Sequence, residues 1–391
     1  MKGIRREKHE KTVNIAEVLR NYVVFCCKSQ AGLVYYKQRG ACYILAPCLK
    51  NDCIPAPAGE RKYAMQPMQP NPAPAAPAQP RPIVFALQQN IRRAIVGKDE
   101  AIELLLIALI CRGHVLIEDV PGVGKTTMAA ALAKSLQCSF KRIQFTPDVT
   151  PSDVTGFTMV NMQTGEMEFK PGAVMSQIVL ADEINRTSPK TQSSLLEVME
   201  EGQVTVDGVT HRLPRPFMVM ATQNPVDFVG TYPLPEAQMD RFFLRIAIGY
   251  PTIEEEMDVL ERYSGQVTPM QTLSPVCGAD EIIAMQEQLG TIYASRDARS
   301  YVATIVAMTR THGALQLGAS PRGAIALLRA AQACALLSGR DYVLPDDIRR
   351  MALPVLSHRL ILTPEARMKG VSAQQVLSQL IDTVPVPASR T

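Results

Sequence analysis

The sequence predicts an α/β fold, a three-layer sandwich around a five-stranded parallel sheet with two β-hairpin inserts, followed by an all-α C-terminal domain. Three observations predict it. Five short apolar segments alternate with helix-forming stretches, which favours parallel strands joined by right-handed crossovers. A glycine-rich loop lies between the first strand and a helix. After about residue 268 the pattern is wholly helical, with Pro321 and Pro345 at or near helix starts.

The predicted strands are apolar runs bounded by polar or turn-forming residues. They are residues 114–118, 141–145, 178–182, 217–222 and 243–248. Two further segments alternate about a turn and are predicted hairpins. Residues 154–172 turn at Gly165, and residues 203–213 turn at Asp207-Gly208, which is the strongest short hairpin signal. Both hairpins can also be interpreted as surface elements without function.

The loop at residues 117–127 (IEDVPGVGKTT) is typical of a phosphate-binding loop. Gly122 and Gly124 allow backbone N–H groups to face anionic oxygens. Lys125 supplies a charge for the β- and γ-phosphates, Thr126 supplies a hydroxyl for Mg²⁺, and the helix dipole adds to both. Taken alone, the motif could also be a chance glycine turn.

Asp119 departs from the full G-x-x-x-x-G-K-T/S pattern, because it stands where the first glycine is expected. Aspartate tolerates turn geometry, so we expect the loop to form. Asp119 also puts an acidic group near the phosphates, and its effect on nucleotide affinity cannot be read from the sequence.

The third predicted strand ends in two acids, Asp182 and Glu183. A continuous apolar run suits a central parallel strand with its functional residues at the carboxyl end. Asp182 can hold the water shell of Mg²⁺, and Glu183 can orient and deprotonate an attacking water. The alternative is a strand that ends in solvated acids; the preceding glycine-rich loop favours the functional interpretation.

Three more polar residues follow at strand and helix ends. Asn224 at the tip of the fourth strand could hold the same water, although an Asn before Pro225 is also a common turn. Arg241 precedes the fifth strand, and Arg322 begins a later helix. Each arginine taken alone is most often a surface charge or an ion-pair partner.

The glycine-rich loop, the two acids, Asn224 and the two arginines follow one another along the chain in an order that resembles AAA+ ATPases and, among them, the MoxR family. The resemblance spans roughly residues 83–387. The segments that carry it are residues 95–100 (IVGKDE), 118–126, 181–186 (ADEINR), 188–201, 221–225 (ATQNP), 232–238, 240–242 and 320–323 (SPRG).

The resemblance implies a role for each candidate residue. Walker A comprises Pro121, Gly122, Val123, Gly124, Lys125, Thr126 and Thr127; Walker B comprises Asp182 and Glu183; Asn224 is sensor 1; Arg241 is the arginine finger for a neighbouring subunit's nucleotide; Arg322 is the sensor of the lid; Val96 and Gly97 lie near the adenine. The catalytic set is then Glu183, Asn224, Arg241 and Arg322, with Thr126 and Asp182 at the metal.

The resemblance also implies an activity and partners. We expect Mg²⁺-dependent ATP hydrolysis in a homo-oligomeric ring, hexameric in the family, with the two hairpins facing its pore. The ring would remodel or mature a protein client, often with a von Willebrand factor A domain partner. The lid that carries Arg322 is expected to close over the nucleotide.

Charge and hydropathy argue against two other partners. The net charge of +4 is uneven, because residues 1–64 hold 12 Lys/Arg against 5 Asp/Glu and the remainder holds 29 against 32. A mildly acidic body has no electrostatic footprint for nucleic acid. No stretch reaches 18 apolar residues without charge, so no membrane span is expected.

We divide the chain into a basic leader (1–64), a Pro/Ala/Gln-rich linker (65–82), an ATPase core (83–268) and a helical lid (269–391). Five cysteines of the leader match no strong zinc pattern: Cys26, Cys27, Cys42, Cys48 and Cys53. The leader could reflect a mis-assigned start, with Met65 or Met68 as the true one, or a regulatory arm. The other cysteines suit a reducing compartment, and with no fitting signal peptide we expect a cytoplasmic protein.

Two other functional classes stay open at this stage. One is a nucleotide-gated scaffold with little turnover, which Asp119 favours. The other is a DNA-processing AAA+ motor, which the acidic body and the aromatic content of 5% without Trp disfavour.

Overall fold

The computed structural model describes residues 34–38, 41–45, 80–224 and 230–387. The predictions for the rest of the leader and for most of the linker lie outside the described residues. Strands β1 (Val34–Gln38) and β2 (Ala41–Leu45) pair as an antiparallel hairpin, which we describe by itself. The remaining described elements, from residue 80 onward, belong to a separate compact unit.

A five-stranded parallel sheet forms the centre of this unit. Its strands are β3 (Val115–Glu118), β4 (Phe140–Gln144), β7 (Ile178–Asp182), β10 (Met218–Gln223) and β11 (Leu244–Ile246). Their order is β11-β3-β10-β7-β4, and each neighbouring pair runs parallel. All five predicted strands are therefore confirmed, with ends that differ from the predictions by two residues or fewer.

Alternate residues of these strands face two separate cores, which gives the predicted three layers. Val115 and Ile117 pack on one side, together with the helices α1 (Pro80–Arg92), α2 (Asp99–Ile110) and α3 (Lys125–Ser135). Leu116 and Val179 pack on the other side, against α5 (Pro189–Glu201). Helix α1 begins at Pro80, inside the predicted linker, because proline is tolerated in a first helical turn.

Both predicted hairpins are present. Helix α4 (Pro151–Thr155) leads into β5 (Gly156–Val160), which pairs with β6 (Met167–Pro171). Strands β8 (Gln203–Val206) and β9 (Val209–Arg212) form the second hairpin. At its turn, Asp207 and Gly208 have φ angles of 49° and 78°. A two-residue turn of this type needs positive φ at both positions, which explains the Asp-Gly signal.

Helix α6 (Glu236–Met239) lies between β10 and β11 in the chain, and α7 (Ile253–Tyr263) follows β11 and leads towards the lid. The lid helices are α8 (Ala279–Gln288), α9 (Arg296–Thr311), α10 (Pro321–Leu337), α11 (Pro345–Leu356), α12 (Pro364–Met368) and α13 (Ala373–Thr383). Pro321 and Pro345 each begin a helix, as predicted. The lid also contains an unpredicted antiparallel pair, β12 (Leu315–Leu317) with β13 (Ile361–Leu362). The boundary at residue 268 stays a prediction.

Among the residues that the structure describes, no helix is long and apolar enough to cross a membrane.

Candidate active site

The glycine-rich loop leaves room for a ligand at the start of α3. Gly122 and Gly124 have φ angles of 88° and 89°, and a Cβ at either position would meet nothing within 4 Å. Gly124 is the N-cap of α3, and no side chain caps that end of the helix. The first N–H groups of α3 and its positive dipole end therefore suit an anion. Pro121 is exposed at the loop, and residues 123–127 are half-buried.

Lys125 connects the loop to the acids of the neighbouring strand. Its Nζ donates to the backbone oxygen of Asp119 over 2.7 Å. Burial lowers the pKa of Lys125. The carboxylates of Asp119, Asp182 and Glu183 oppose that lowering of the pKa, because their charges favour the ammonium form. The fold therefore brings both candidate motifs to the same ammonium group.

Both oxygens of the Asp119 carboxylate are engaged by backbone N–H groups, although its charge still acts on Lys125. One carboxylate oxygen accepts from the N–H of Val120 over 2.8 Å. The other accepts from the N–H groups of Ile248 and Gly249 over 2.5 and 2.6 Å. Asp119 thus ties the start of the loop to the chain after β11, and its negative charge is satisfied by backbone donors.

The acids after β7 are held by three neighbouring side chains. The Thr222 hydroxyl donates to Asp182 Oδ1 over 2.6 Å, and Arg142 donates to Oδ2 over 2.6 and 3.1 Å. Gln144 Nε2 donates to Glu183 Oε2 over 2.7 Å. Glu183 has a left-handed backbone, with φ 57°. This conformation is uncommon outside glycine, and it turns Glu183 out of the strand direction of Asp182.

The donor set at this edge fits Mg²⁺. Asp182 offers a carboxylate and Thr126 a hydroxyl, the hard oxygen ligands that this ion prefers alongside substrate phosphates. Oδ1 of Asp182 can still accept a bond from metal-bound water, because Thr222 uses only one of its two lone pairs.

Asn224 follows β10, which lies between β3 and β7 in the sheet. The carboxyl ends of these three parallel strands meet at one edge. Asn224 therefore emerges between the glycine-rich loop after β3 and the acids after β7. That position suits a side chain that orients a water at the γ-phosphate.

Val96 and Gly97 lie in the loop between α1 and α2. Val96 is half-buried, and Gly97 is exposed with a φ of 68°. Gly97 lines a cavity of about 340 Å³, together with Ile248 of the core and Pro354 of α11. The role of Val96 and Gly97 beside an adenine stays a prediction.

Arg241 and Arg322 lie elsewhere, and both contact Glu200 near the end of α5. Arg241 Nε and Arg322 Nη1 each lie 3.1 Å from a different oxygen of the Glu200 carboxylate. The three side chains line a cavity of about 300 Å³. Gly113 and His114, which directly precede β3, line the same cavity. The arginine pair therefore lies at the amino edge of the sheet, and the glycine-rich loop lies at the carboxyl edge.

The position of Arg322 differs from the expectation of a lid that closes over its own nucleotide. Asp240 explains the difference. Its carboxylate accepts from Ser320 Oγ over 2.9 Å and from Arg359 Nε over 2.6 Å. Ser320 is the N-cap of α10, so this contact fixes the start of the helix that carries Arg322 beside the segment that carries Arg241.

Sequence reasoning missed the residues that support the site. Arg142 and Gln144 are two residues apart in a predicted strand, and this spacing was the only signal that their side chains share a face. Thr222 and Glu200 lie within segments that carry the resemblance, 221–225 and 188–201, but the sequence assigned no role to either residue. Arg186 also forms an ion pair with Glu183, with its Nε 3.4 Å from Glu183 Oε2.

The parallel sheet, the glycine-rich loop and the paired acids define an AAA+ P-loop protein. The family model of the ATPase family associated with various cellular activities (AAA) matches residues 114–244, and the AAA lid domain matches residues 307–380. A solved structure of a protein from Cytophaga hutchinsonii, described as an ATPase, has a TM-score of 0.74 and 39% identity, covering 78% of this chain and 96% of that one.

Two curated relatives narrow the class. YeaC of Bacillus subtilis is 53% identical, over 79% of this chain and 97% of the relative. Chaperone MoxR1 of Mycobacterium tuberculosis is 40% identical, over 76% of this chain and 81% of the relative. The chain belongs to the MoxR family of AAA+ ATPases.

Proposed function

We propose that this chain hydrolyses ATP with Mg²⁺ at the interfaces between subunits of a homo-oligomeric ring, which we take to be hexameric. One observation carries the proposal. The phosphate loop, Asp182 and Glu183 lie at one edge of the sheet, and Arg241 and Arg322 lie at the other. Within one subunit, neither Arg241 nor Arg322 therefore lies at the phosphate loop. A second copy of the chain would complete the site.

Each residue then has a defined task. The N–H groups of residues 122–127 and the Lys125 ammonium bind and orient the phosphates. Thr126 and Asp182 would hold Mg²⁺, which neutralises phosphate charge when bound. Glu183 takes the proton of the attacking water, and Asn224 orients that water. Val96 and Gly97 would bound the adenine.

Arg241 would reach the nucleotide of the adjacent subunit, and Arg322 would act beside it rather than on its own subunit's nucleotide. Charge spreads over the oxygens of the transferring phosphoryl group, and arginine supplied in trans stabilises that charge. The contact of both arginines with one carboxylate supports a joint action, because the two guanidinium groups share one location.

Subunit mixing tests this arrangement. A Glu183→Gln subunit has intact arginines but no base, and an Arg241→Ala/Arg322→Ala subunit has the base but no arginines. Each protein alone should hydrolyse ATP more slowly than wild type by a factor of roughly 10² or more. Mixed rings should recover turnover, because some interfaces combine an intact base with intact arginines. Failure of every mixing ratio to recover turnover would contradict a shared site.

We further propose that the ring uses hydrolysis for chaperone-like remodelling of a protein client in the cytoplasm, with a von Willebrand factor A domain protein as a candidate partner. The name of the relative Chaperone MoxR1 supports the first part. The hairpin β5–β6 supports it too, because it exposes several large apolar side chains: Phe157, Met159, Val160, Met162 and Met167. Methionine-rich surfaces suit adaptable contacts.

The two hairpins form one surface for such contacts. Phe169 of β6 stacks on His211 of β9, with ring centroids 3.8 Å apart and an interplanar angle of 11°. A client that displaces one hairpin would therefore move the other. Binding of an unfolded polypeptide that is lost when Met159, Met162 and Met167 are replaced by serine would support this surface; unchanged binding would contradict it.

The scaffold alternative loses its main support. It relied on Asp119 as an acid near the phosphates, and that carboxylate is committed to the N–H groups of Val120, Ile248 and Gly249. A DNA-processing motor stays disfavoured by the acidic body of the chain. Turnover that DNA stimulates in a salt-sensitive way would revive it.

A further inference from the structure

Glu200 is the residue that both candidate trans arginines share. It lies one residue before the end of α5, and its side chain is 40% exposed. Its two carboxylate oxygens are used separately. Oε2 lies 3.1 Å from Arg241 Nε, and Oε1 lies 3.1 Å from Arg322 Nη1. One carboxylate thus bridges a side chain of the core and a side chain of the lid.

The bridge leaves the outer donors of both arginines available. A guanidinium has five N–H donors in a fixed plane. Glu200 takes the Nε side of Arg241, so the two Nη groups at the tip of Arg241 face no other side-chain partner within the described residues. Arg322 likewise uses only Nη1. Glu200 thus contacts Arg241 at Nε and Arg322 at one of its two tip nitrogens, which leaves both Nη groups of Arg241 and Nη2 of Arg322 for an anion.

Charge makes this support necessary. Arg112 and Arg329 line the same cavity as Arg241 and Arg322. The other acid of the lining, Asp240, is committed to Arg359 and Ser320. Among the described residues that line this cavity, Glu200 is therefore the acid that offsets the repulsion between Arg241 and Arg322. Without it, two long side chains regain rotamer freedom and move apart.

We infer that Glu200 is a positioning residue for hydrolysis in the neighbouring subunit, because it holds Arg241 and Arg322 together as one two-arginine unit. This inference rests on the proposed function. It also explains why a lid residue and a core residue can act together, because the same carboxylate fixes the distance between them.

Mixed rings separate this role from a structural one. The acceptor is Arg241→Ala/Arg322→Ala, and the donor is Glu183→Gln in the full chain. Adding Glu200→Ala to the donor should lower the recovered turnover by roughly 10- to 100-fold, as expected for a reacting group displaced by about 1 Å. Adding Glu200→Ala to the acceptor should leave the recovered turnover within about twofold, because the arginines it would hold are already absent.

Two controls sharpen the comparison. Glu201→Gln in the donor changes the adjacent exposed acid of α5 and should leave the recovery unchanged. Glu200→Gln in the donor keeps an acceptor oxygen but not the charge, so it should give an intermediate value. The KM for ATP should stay constant throughout, because the nucleotide is bound by the acceptor.

Three results would overturn the inference. Equal losses from Glu200→Ala in the donor and in the acceptor would indicate a structural role. Full recovery with the Glu200→Ala donor would indicate no role. No recovery in the parent mixture, before any change at Glu200, would instead reject the proposed shared site, and the inference with it.

Discussion

Thr222 donates a hydrogen bond of 2.6 Å to Asp182, and the same hydroxyl accepts from the backbone N–H of Glu183 over 2.9 Å. A single buried side chain of β10 therefore holds both acids at the end of β7. The candidate sensor Asn224 lies two residues further along the same chain. The positions of the acids and of the sensor are linked through the backbone of β10, so a change at either strand end is transmitted to the other.

Replacing Thr222 by valine tests that link. The change keeps the shape of the side chain and removes both hydrogen bonds, so a buried carboxylate oxygen and a backbone N–H lose their partner. We expect the free energy of unfolding to fall by about 1–3 kcal/mol and ATP turnover to fall with it. Thr222→Ser keeps the hydroxyl and is the matched control. Equal stability of the two variants in urea titrations would contradict the role of the hydroxyl.

Asp119→Gly restores the full glycine pattern, yet we expect it to harm the protein. Three backbone N–H groups would lose a charged acceptor, so the free energy of unfolding should fall by about 1.5–3 kcal/mol or more. ATP affinity should not improve, because the carboxylate is already bound by three backbone N–H groups and its charge favours the ammonium form of Lys125. Calorimetric titration with ATP checks the second point. Tighter ATP binding by the glycine variant would show that the acid does act on the phosphates; Asp119→Asn should be intermediate in stability.

His114 should make stability depend on pH. Its Nε2 pairs with the Met199 oxygen, and its Nδ1 accepts from the Val219 N–H. Burial lowers the pKa of His114 to about 4, from an unfolded value near 6.5. Between those values the unfolded chain binds a proton that the folded chain does not. Stability is therefore lost as the pH falls from 6.5 towards 4, by about 3 kcal/mol in total.

A His114→Asn variant isolates this effect, because the asparagine oxygen can accept from Val219 but does not titrate. The variant should be less stable than wild type at pH 7, and the difference in free energy of unfolding should shrink towards pH 5. Burial also lowers the pKa of His358, but that histidine is present in both proteins and cancels. A difference that stays constant from pH 7 to pH 5 would contradict a buried neutral His114.

The sequence predicted what depends on local pattern. Strand β7 has the predicted bounds, because its apolar run ends at Asp182, the first of two consecutive acids. The Asp207-Gly208 turn was predictable for the same reason. Strands β12 and β13 were not, because they have three and two residues and lie more than 40 positions apart. Length and alternation, the two signals of a strand, are both missing from such short segments.

The candidate site was predictable in its motifs and not in its contacts. Lys125, Asp182 and Glu183 stand in recognisable patterns, although their roles in catalysis stay proposals. The direction of the Asp119 side chain depends on N–H groups 129 and 130 residues away, and the place of Arg322 depends on Glu200, 122 residues away. No local pattern contains such pairings. Because of these non-local contacts, Arg322 lies away from its expected position. The contacts of Glu200 could not be predicted for the same reason.

The most direct test of the central claim is ATP turnover per subunit, measured against protein concentration for wild type, Glu183→Gln and Arg241→Ala. A site shared between subunits predicts that specific activity rises with concentration in wild type. It also predicts roughly 10²- to 10⁴-fold lower turnover in Glu183→Gln with ATP binding retained, and roughly 10³- to 10⁵-fold lower turnover in Arg241→Ala. Wild-type protein that binds ATP but turns it over no faster than Glu183→Gln would contradict the account.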